Sequence, residues 1–140
     1  MLFRSLHTGL SDRRRSRLAF QEAAIVIEGI GIDVVDIARF QESLERTPAL
    51  KERIFTEREA LLKTASLAAR FAAKEALIKA LDARDVFSWH DAEVINTESG
   101  KPAFLFSGAL ALRTADCLVH LSLSHDAGIA SAMVDRKSVV

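Results

Sequence analysis

The chain has 140 residues, of which 49% are hydrophobic and 27% are charged, and its formal net charge is zero. This composition predicts one soluble globular domain, and the balanced charge provides no global field to attract nucleic acid or a membrane. No apolar run is long enough to span a membrane, and the single cysteine, Cys117, excludes an intrachain disulfide and fits a reducing compartment, the cytoplasm.

The first 24 residues differ in charge from the rest of the chain. They contain five arginines against two acidic residues, which gives this segment a net charge of +3. We predict that residues 1–24 are a basic and poorly ordered lead-in, and that residues 25–137 form the folded domain.

The run IVIEGIGIDVV at residues 25–35 predicts a buried strand, because it is rich in β-branched residues. Gly29 and Gly31 indicate either a close approach of another backbone or a bulge. Asp33 interrupts the apolar run near its end, and an inward-facing carboxylate needs hydrogen bonds or a cation. We therefore assign Asp33 mainly a functional role and Asp36 mainly a helix-capping role.

The remaining elements follow from apolar periodicity and capping signals. Asp36 caps a helix at 37–46, Thr56 and Glu59 form the capping box of a helix at 56–63, and Ser66 caps a helix at 66–81. A helix at 107–114 and strands at 92–96, 103–106, 118–124 and 129–135 complete the pattern. The prediction is an α+β fold, a small mixed or antiparallel sheet with helices packed on it, in the order β-α-α-α-β-β-α-β-β.

The predicted helix at 66–81 has no broad polar face, so we expect protein to cover most of it. One arc is bulky and apolar, and a second arc consists of alanines that would let another backbone approach closely. Arg70 and Lys74 fall inside the bulky arc, whereas Glu75 and Lys79 lie in the seam between the arcs. Charges in such positions need partners. They suggest a cationic cluster around one carboxylate, which suits a metal ion and a polyanion; ordinary intrahelical ion pairing is the alternative.

Four motifs occur together along the chain: GIDVVDIARF at 31–40, RFAAKEALIKAL at 70–81, ESGKPAF at 98–104 and LSLSHDAGIASAMV at 121–134. In this order they closely resemble the stand-alone holo-acyl-carrier-protein synthases, the small branch of the 4′-phosphopantetheinyl transferases. The resemblance extends from about residue 25 to residue 134. It implies transfer of phosphopantetheine from coenzyme A to a serine of apo acyl carrier protein.

The resemblance also implies roles for individual residues. Asp33 and Glu75 would hold Mg²⁺, which usually takes only one or two protein carboxylates, and Lys79 would face the pyrophosphate of coenzyme A. With His125, these three form the expected catalytic set. The other expected contacts with coenzyme A are Arg70, Lys74, Gly100, Lys101, Pro102, Ser124 and, in addition to its catalytic role, His125.

Family members are generally homotrimers with each active site at a subunit interface, and arginines of the helix after the GID motif help to dock the carrier. Here those arginines are Arg39 and Arg46. Three acceptors for the serine proton remain open, namely a water on the metal, Glu75, and the pair of His125 with Asp126. The family's Gly-Thr-Gly-like loop is replaced here by residues 82–85, whose two aspartates add negative charge near a polyanion site.

Two other functions would use some of the same residues. A magnesium-dependent hydrolase of coenzyme A or of another pyrophosphate compound would explain Asp33, Glu75 and Lys79, but not the basic helix at 37–46. A non-catalytic module that binds a carrier protein would not need both carboxylates and the lysine.

Overall fold

The structure is a computed structural model that describes residues 25–85 and 87–139. The predicted lead-in of residues 1–24 therefore lies outside the described residues. In chain order the elements are β1 (Ile25–Asp36), α1 (Ile37–Arg46), α2 (Ala49–Ile54), α3 (Glu57–Ala60), α4 (Thr64–Leu81), a 3₁₀ turn (Trp89–Asp91), β2 (Ala92–Asn96), β3 (Pro102–Phe106), α5 (Gly108–Arg113), β4 (Cys117–Asp126) and β5 (Ile129–Val139). None of the helices in this part of the chain is long and apolar enough to cross a membrane.

The strands form two antiparallel sheets. One sheet has three strands in the order β1-β5-β4, and the other is the β2-β3 hairpin. The predicted α+β class is confirmed, and the strands pair only in antiparallel fashion in the residues described. The small sheet that we expected is divided in two, with α4 packed against the three-stranded one.

β1 and α4 approach each other closely because small residues, glycine on the strand and alanine on the helix, form the contact. A Cβ atom on Gly29 would collide with the carbonyl oxygen of Ala80, and one on Gly31 would collide with that of Ala76. The strand also has a register shift between Ile27 and Gly29. Both predictions for these glycines, a close backbone approach and a bulge, are therefore confirmed.

The helix boundaries confirm some capping predictions and correct others. The Asp36 carboxylate accepts the Arg39 N–H, and Thr56 and Glu59 form the predicted capping box. The prediction that Ser66 caps α4 is wrong, because α4 begins at Thr64 after Lys63, which makes no side-chain cap.

The segment between α1 and α4 also departs from the prediction. An additional helix, α2, occupies residues 49–54, and the helix that the capping box opens covers only residues 57–60. Both helices are too short for an apolar period to develop, so periodicity could not reveal α2 or the early end of α3.

The core lies between α4 and the two sheets. Eleven of the 18 residues of α4 are buried, as expected for a helix without a polar face. The other core side chains come from every layer of the fold and include Val35, Phe40, Ile54, Phe55, Val94, Leu110, Leu121 and Val134.

Candidate functional site

Asp33 and Glu75 line one cavity, although they are 42 positions apart in the chain. Asp33 lies on the face of β1 that carries Gly31 and Val35, and Glu75 lies on α4 directly before Ala76, which Gly31 contacts. Strand and helix thereby bring both carboxylates into one cleft. The cleft has a volume of about 350 Å³ and is lined by Asp33, Val34, Val35, Asp36, Arg39, Phe40, Ser43, Phe71 and Glu75.

Lys79 lies beside this cleft and is bonded to β1. Its ammonium group donates to the carbonyl oxygen of Ile32 at 2.7 Å and to the carboxylate of Asp33 at 3.1 Å. Lys79 is one helical turn beyond Glu75 and its side chain remains 41% exposed. A cation that is accessible to solvent and next to a carboxylate can exchange that partner for a phosphate oxygen.

Electrostatics also links the two carboxylates. Burial raises the pKa of Glu75 above its ordinary value of 4.5, and the negative charge of Asp33 raises it further, while Lys79 and Arg84 oppose the shift. A carboxylate such as Glu75, whose ionisation is disfavoured by burial and by a second carboxylate nearby, marks a place where a cation would be stabilised.

The donor set fits Mg²⁺. Magnesium is usually held by one or two carboxylates together with water and substrate phosphate, so Asp33 and Glu75 supply the expected number. Over residues 25–85 and 87–139, no group of three or more His, Cys, Asp or Glu side chains is positioned to hold a metal. A zinc site built from several His and Cys ligands therefore has no counterpart in those ranges.

Lys74 lies away from this cleft, inside the core. Its ammonium group is 2.7 Å from the Glu59 carboxylate and also donates to the carbonyl oxygens of Ile54 and Trp89. Burial lowers the pKa of Lys74, and the bond to Glu59 opposes that shift. The predicted cationic cluster around one carboxylate is wrong, because Lys74 pairs with Glu59 and Lys79 pairs with Asp33.

Arg70 is also outside the cleft. Its guanidinium donates to the side chain of Asn96 at 3.3 Å and to the carbonyl oxygen of Ser66 at 3.5 Å. Its Nε atom is buried without a partner among the described residues. Burial lowers the pKa of Arg70, and the charge of Glu59 opposes that change.

The predicted GKP segment lies at a second cavity, which is formed at the outer face of the three-stranded sheet. Lys101 follows the β2-β3 turn, where Gly100 has a φ of 82°. The cavity has a volume of about 400 Å³ and is lined by Lys101, Pro102, His120, Leu121, Ser122, Leu123, Met133, Asp135 and Lys137. The sequence analysis missed the last two of these side chains, which form an ion pair of 3.2 Å.

Ser124 and His125 are exposed near the β4-β5 turn, and neither lines the first or the second cavity. The predicted contacts for coenzyme A are thus distributed within one copy of the chain. The cleft of Asp33 and Glu75 is in one place, and Lys101 and Pro102 are in another.

The two predicted docking arginines are exposed on α1, as expected. Arg39 lines the cleft of Asp33 and Glu75, and Arg46 lies in the last turn of α1. The sequence analysis missed the aromatic wall that Phe40 and Phe71 add to the cleft. The only sequence signal for it was one Phe on the apolar side of each of two predicted helices.

Known proteins resemble this chain over most of its length. The family model of the 4′-phosphopantetheinyl transferase superfamily matches residues 29–132. The holo-[acyl-carrier-protein] synthase of Leifsonia xyli is 54% identical over 112 residues, which cover 78% of this chain and 95% of that protein. The synthase of the same name from Streptomyces avermitilis is 55% identical over 117 residues, which cover 77% of this chain and 95% of that protein.

Solved structures show the same fold. The ACPS–CoA complex of Chronobacterium ammoniagenes has a TM-score of 0.71 at 29% identity and covers 84% of this chain and 99% of that one. A holo-(acyl-carrier-protein) synthase of Bacillus anthracis in complex with CoA (3′,5′-ADP) has a TM-score of 0.68 at 38% identity and covers 82% of this chain and 99% of that one. The range matched by the family model contains Asp33, Glu75, Lys79 and Lys101.

Proposed function

Because the chain belongs to the 4′-phosphopantetheinyl transferase superfamily, we propose that it transfers the 4′-phosphopantetheine group of coenzyme A to a serine of apo acyl carrier protein. The products are holo carrier protein and adenosine 3′,5′-bisphosphate. The observation that carries the proposal is the shared cleft of Asp33 and Glu75, with Lys79 bonded to Asp33, in a chain that is 54% identical to a holo-[acyl-carrier-protein] synthase.

Asp33 and Glu75 would hold Mg²⁺ in this cleft. When bound, the metal would neutralise charge on the phosphoryl oxygens and help to orient the diphosphate. Lys79 would add a second positive charge to the phosphates, since its ammonium group is partly exposed and is bonded to Asp33, which lines the cleft. Charge that develops on the transferred group and on the leaving nucleotide would be stabilised by these fixed groups.

The carrier protein would bind beside the cleft. Arg39 lines it and Arg46 extends the positive charge to the end of α1, which suits an acidic partner. The aromatic wall of Phe40 and Phe71 would limit the access of water to the reacting serine. Glu75 lies at the cleft and is one of the candidate acceptors for the serine proton.

The active protein would be a homotrimer. Ile30, Ile32 and Val34 project from the outer face of β1, and each is 61% exposed in the single chain. Met133 pairs with Ile32 on the same face and is 49% exposed. Such a continuous apolar surface is typical of an interface. Association through it would allow Lys101, Pro102, Ser124 and His125 of one copy to complete the coenzyme A site of another.

The carrier would be that of fatty acid biosynthesis, with polyketide assembly or another pathway as the alternatives, and the compartment would be the cytoplasm, in keeping with a chain that has only one cysteine. Lys74 does not belong to the proposed coenzyme A site, since its ammonium group is fully buried and hydrogen-bonded within the protein. Arg70 does not line the cleft of Asp33 and Glu75, and its Nε atom is buried, so within one copy of the chain it adds no contact there.

The test is to mix the protein with coenzyme A, Mg²⁺ and apo acyl carrier protein and to follow the carrier by mass spectrometry. The expected result is a mass gain of one phosphopantetheine group, lost when Mg²⁺ is chelated. Release of adenosine 3′,5′-bisphosphate without the carrier would instead identify a hydrolase. Binding of the carrier with no mass gain would identify a non-catalytic module, and either result would overturn the proposal.

A further inference from the structure

Glu59 is a carboxylate that is only 1% exposed, yet both of its oxygens are hydrogen-bonded. One oxygen accepts from the backbone N–H of Val94 at 2.8 Å. The other accepts from the Lys74 ammonium group at 2.7 Å and from the N–H of Thr56 at 3.0 Å. Glu59 therefore connects the start of α3 to β2 and to α4.

Lys74 connects Glu59 to two further parts of the chain. Its side chain is 0% exposed, and besides Glu59 it donates to the carbonyl oxygens of Ile54 at 2.8 Å and Trp89 at 3.0 Å. An ammonium group has three N–H donors, and all three are used. The end of α2 and the 3₁₀ turn are thereby attached to the same point of α4.

A buried ion pair of this kind is not explained by stability. Removing two charges from water costs several kcal/mol, and well-packed neutral residues of similar volume are often as stable or more stable. A role in positioning neighbouring residues would account for the pair. Lys74 is followed directly in the chain by Glu75, which lines the cleft.

A chain of aromatic rings leads from the pair to the cleft. The Lys74 ammonium group lies 5.5 Å from the centre of the Phe55 ring. Phe55 makes an edge contact with Phe40 at 6.2 Å, and Phe40 stacks on Phe71 at 5.2 Å. Phe40 and Phe71 form the aromatic wall of the cleft beside Glu75. Phe71 also stacks on Trp89 at 5.8 Å, and the carbonyl oxygen of Trp89 is a Lys74 partner.

We propose that the buried Glu59–Lys74 pair positions the cleft for transfer, by fixing the rotation of α4 at Glu75 and the placement of the aromatic wall. The proposal rests on the proposed function. Glu59 and Lys74 touch neither substrate nor metal, so they are positioning residues. Residues that orient metal-binding side chains typically change metal affinity or activity by about 10- to 100-fold when they are replaced.

The test compares the wild type with the double variant Glu59→Gln/Lys74→Met, which removes both buried charges and keeps an acceptor for Val94. Thermal unfolding shows whether the variant is folded, and transfer assays give kcat and the KM for coenzyme A. Trp89 is the only tryptophan, and its fluorescence gives the Mg²⁺ affinity without turnover. We expect a folded protein whose kcat and Mg²⁺ affinity are each lowered about tenfold, with the KM for coenzyme A nearly unchanged.

Arg58→Met is the matched control. It removes an ion pair at the same corner of the fold, that of Arg58 with Glu93 at 2.9 Å, in which the Arg58 side chain is 76% exposed. Because exposed pairs contribute little, this variant should keep parental kcat and parental Mg²⁺ affinity.

A folded double variant with parental kcat and Mg²⁺ affinity would overturn the proposal and leave the pair with a purely structural role. If the double variant fails to fold, Phe55→Leu decides, since it keeps the pair and removes the first ring of the chain to the cleft. A smaller loss in the same two quantities supports the proposal, and parental values overturn it. A wild type that transfers nothing would instead reject the proposed function itself.

Discussion

Two lysines of α4, five residues apart, each form an ion pair, one inside the core and one beside the cleft, and the two pairs differ in their exposure and in their other bonds. Lys74 and Glu59 are 0% and 1% exposed, whereas Lys79 and Asp33 are 41% and 19% exposed. Lys74 has all its donors bonded to groups of this chain, and Lys79 can exchange a partner for a ligand. Under the two proposals made above, Lys79 serves the site by contact with the substrate, and Lys74 serves it by positioning other residues.

The largest effect is expected at Glu75, between the two lysines. Glu75→Gln should abolish transfer, because it removes one of the two carboxylates that we propose hold the metal. The fold should stay intact, since Glu75 is only half-buried and makes no buried ion pair. Mass spectrometry of the carrier measures transfer and circular dichroism measures folding. Near-parental transfer by this variant would show that the metal assignment is wrong.

The next effect is on the buried pair. Lys74→Ala leaves the Glu59 carboxylate buried without its cation, so the free energy of unfolding should fall by about 3–5 kcal/mol. Urea denaturation followed by circular dichroism measures this value. A loss below about 1 kcal/mol would mean that the two pairs do not differ as described.

Lys79→Met should show the opposite behaviour. It should lower kcat about 100-fold, because one fixed positive charge at the phosphates is lost, while the unfolding free energy changes by less than about 1 kcal/mol. Steady-state kinetics and urea denaturation of the same preparation separate the two effects. A large loss of stability with parental kcat would remove Lys79 from the catalytic set.

A smaller effect is expected just beyond α4. Asp82 ends the helix with a φ of 50°, a conformation in which a Cβ is unfavourable and glycine is not. Asp82→Gly should raise the unfolding free energy by up to about 1 kcal/mol. Asp85→Gly, which removes the same charge from a position without positive φ, is the control and should not stabilise the protein.

The smallest effect is a pH dependence. The pKa of Glu75 is raised in the folded protein, chiefly by burial and then by Asp33, so the folded state holds this proton more firmly than the unfolded state. In magnesium-free buffer, the wild type should therefore lose stability relative to Glu75→Gln as the pH rises above 4.5 through the raised value. Urea denaturation of both proteins at a series of pH values measures the difference in their free energies of unfolding. A difference that stays constant over this pH range would contradict the prediction.

The sequence predicted the parts of the site that depend on local patterns. The smooth faces of β1 and α4 were visible as Gly29 and Gly31 against a run of alanines, and the observed contact of Gly31 with Ala76 follows from them. That contact brings Asp33 to the same cleft as Glu75. The sequence thus indicated a close backbone approach at each element separately, and the structure shows that the two approaches are one contact.

The partner of Lys74 could not be predicted in the same way. The capping box indicated a local role for Glu59, which the structure confirms, but its bond to Val94 spans 35 positions and its bond to Lys74 spans 15. Such contacts depend on how α3 turns back over α4, which no periodicity reveals. Lys74 was grouped with the residues for coenzyme A because it matches a basic position of the family motif, and a motif does not show which of its side chains are buried.

The alternation of β1 carries a constraint on how this protein can change. Gly31, Asp33 and Val35 face α4, while Ile30, Ile32 and Val34 face outward. Substitutions at outward positions would leave the carboxylate in place, but inserting or deleting one residue upstream would exchange the two sides. An aliphatic side chain would then occupy the place of the Asp33 carboxylate, and the carboxylate would lie on the exposed apolar face of the strand. Natural variation in this strand should therefore preserve its length more strictly than its composition.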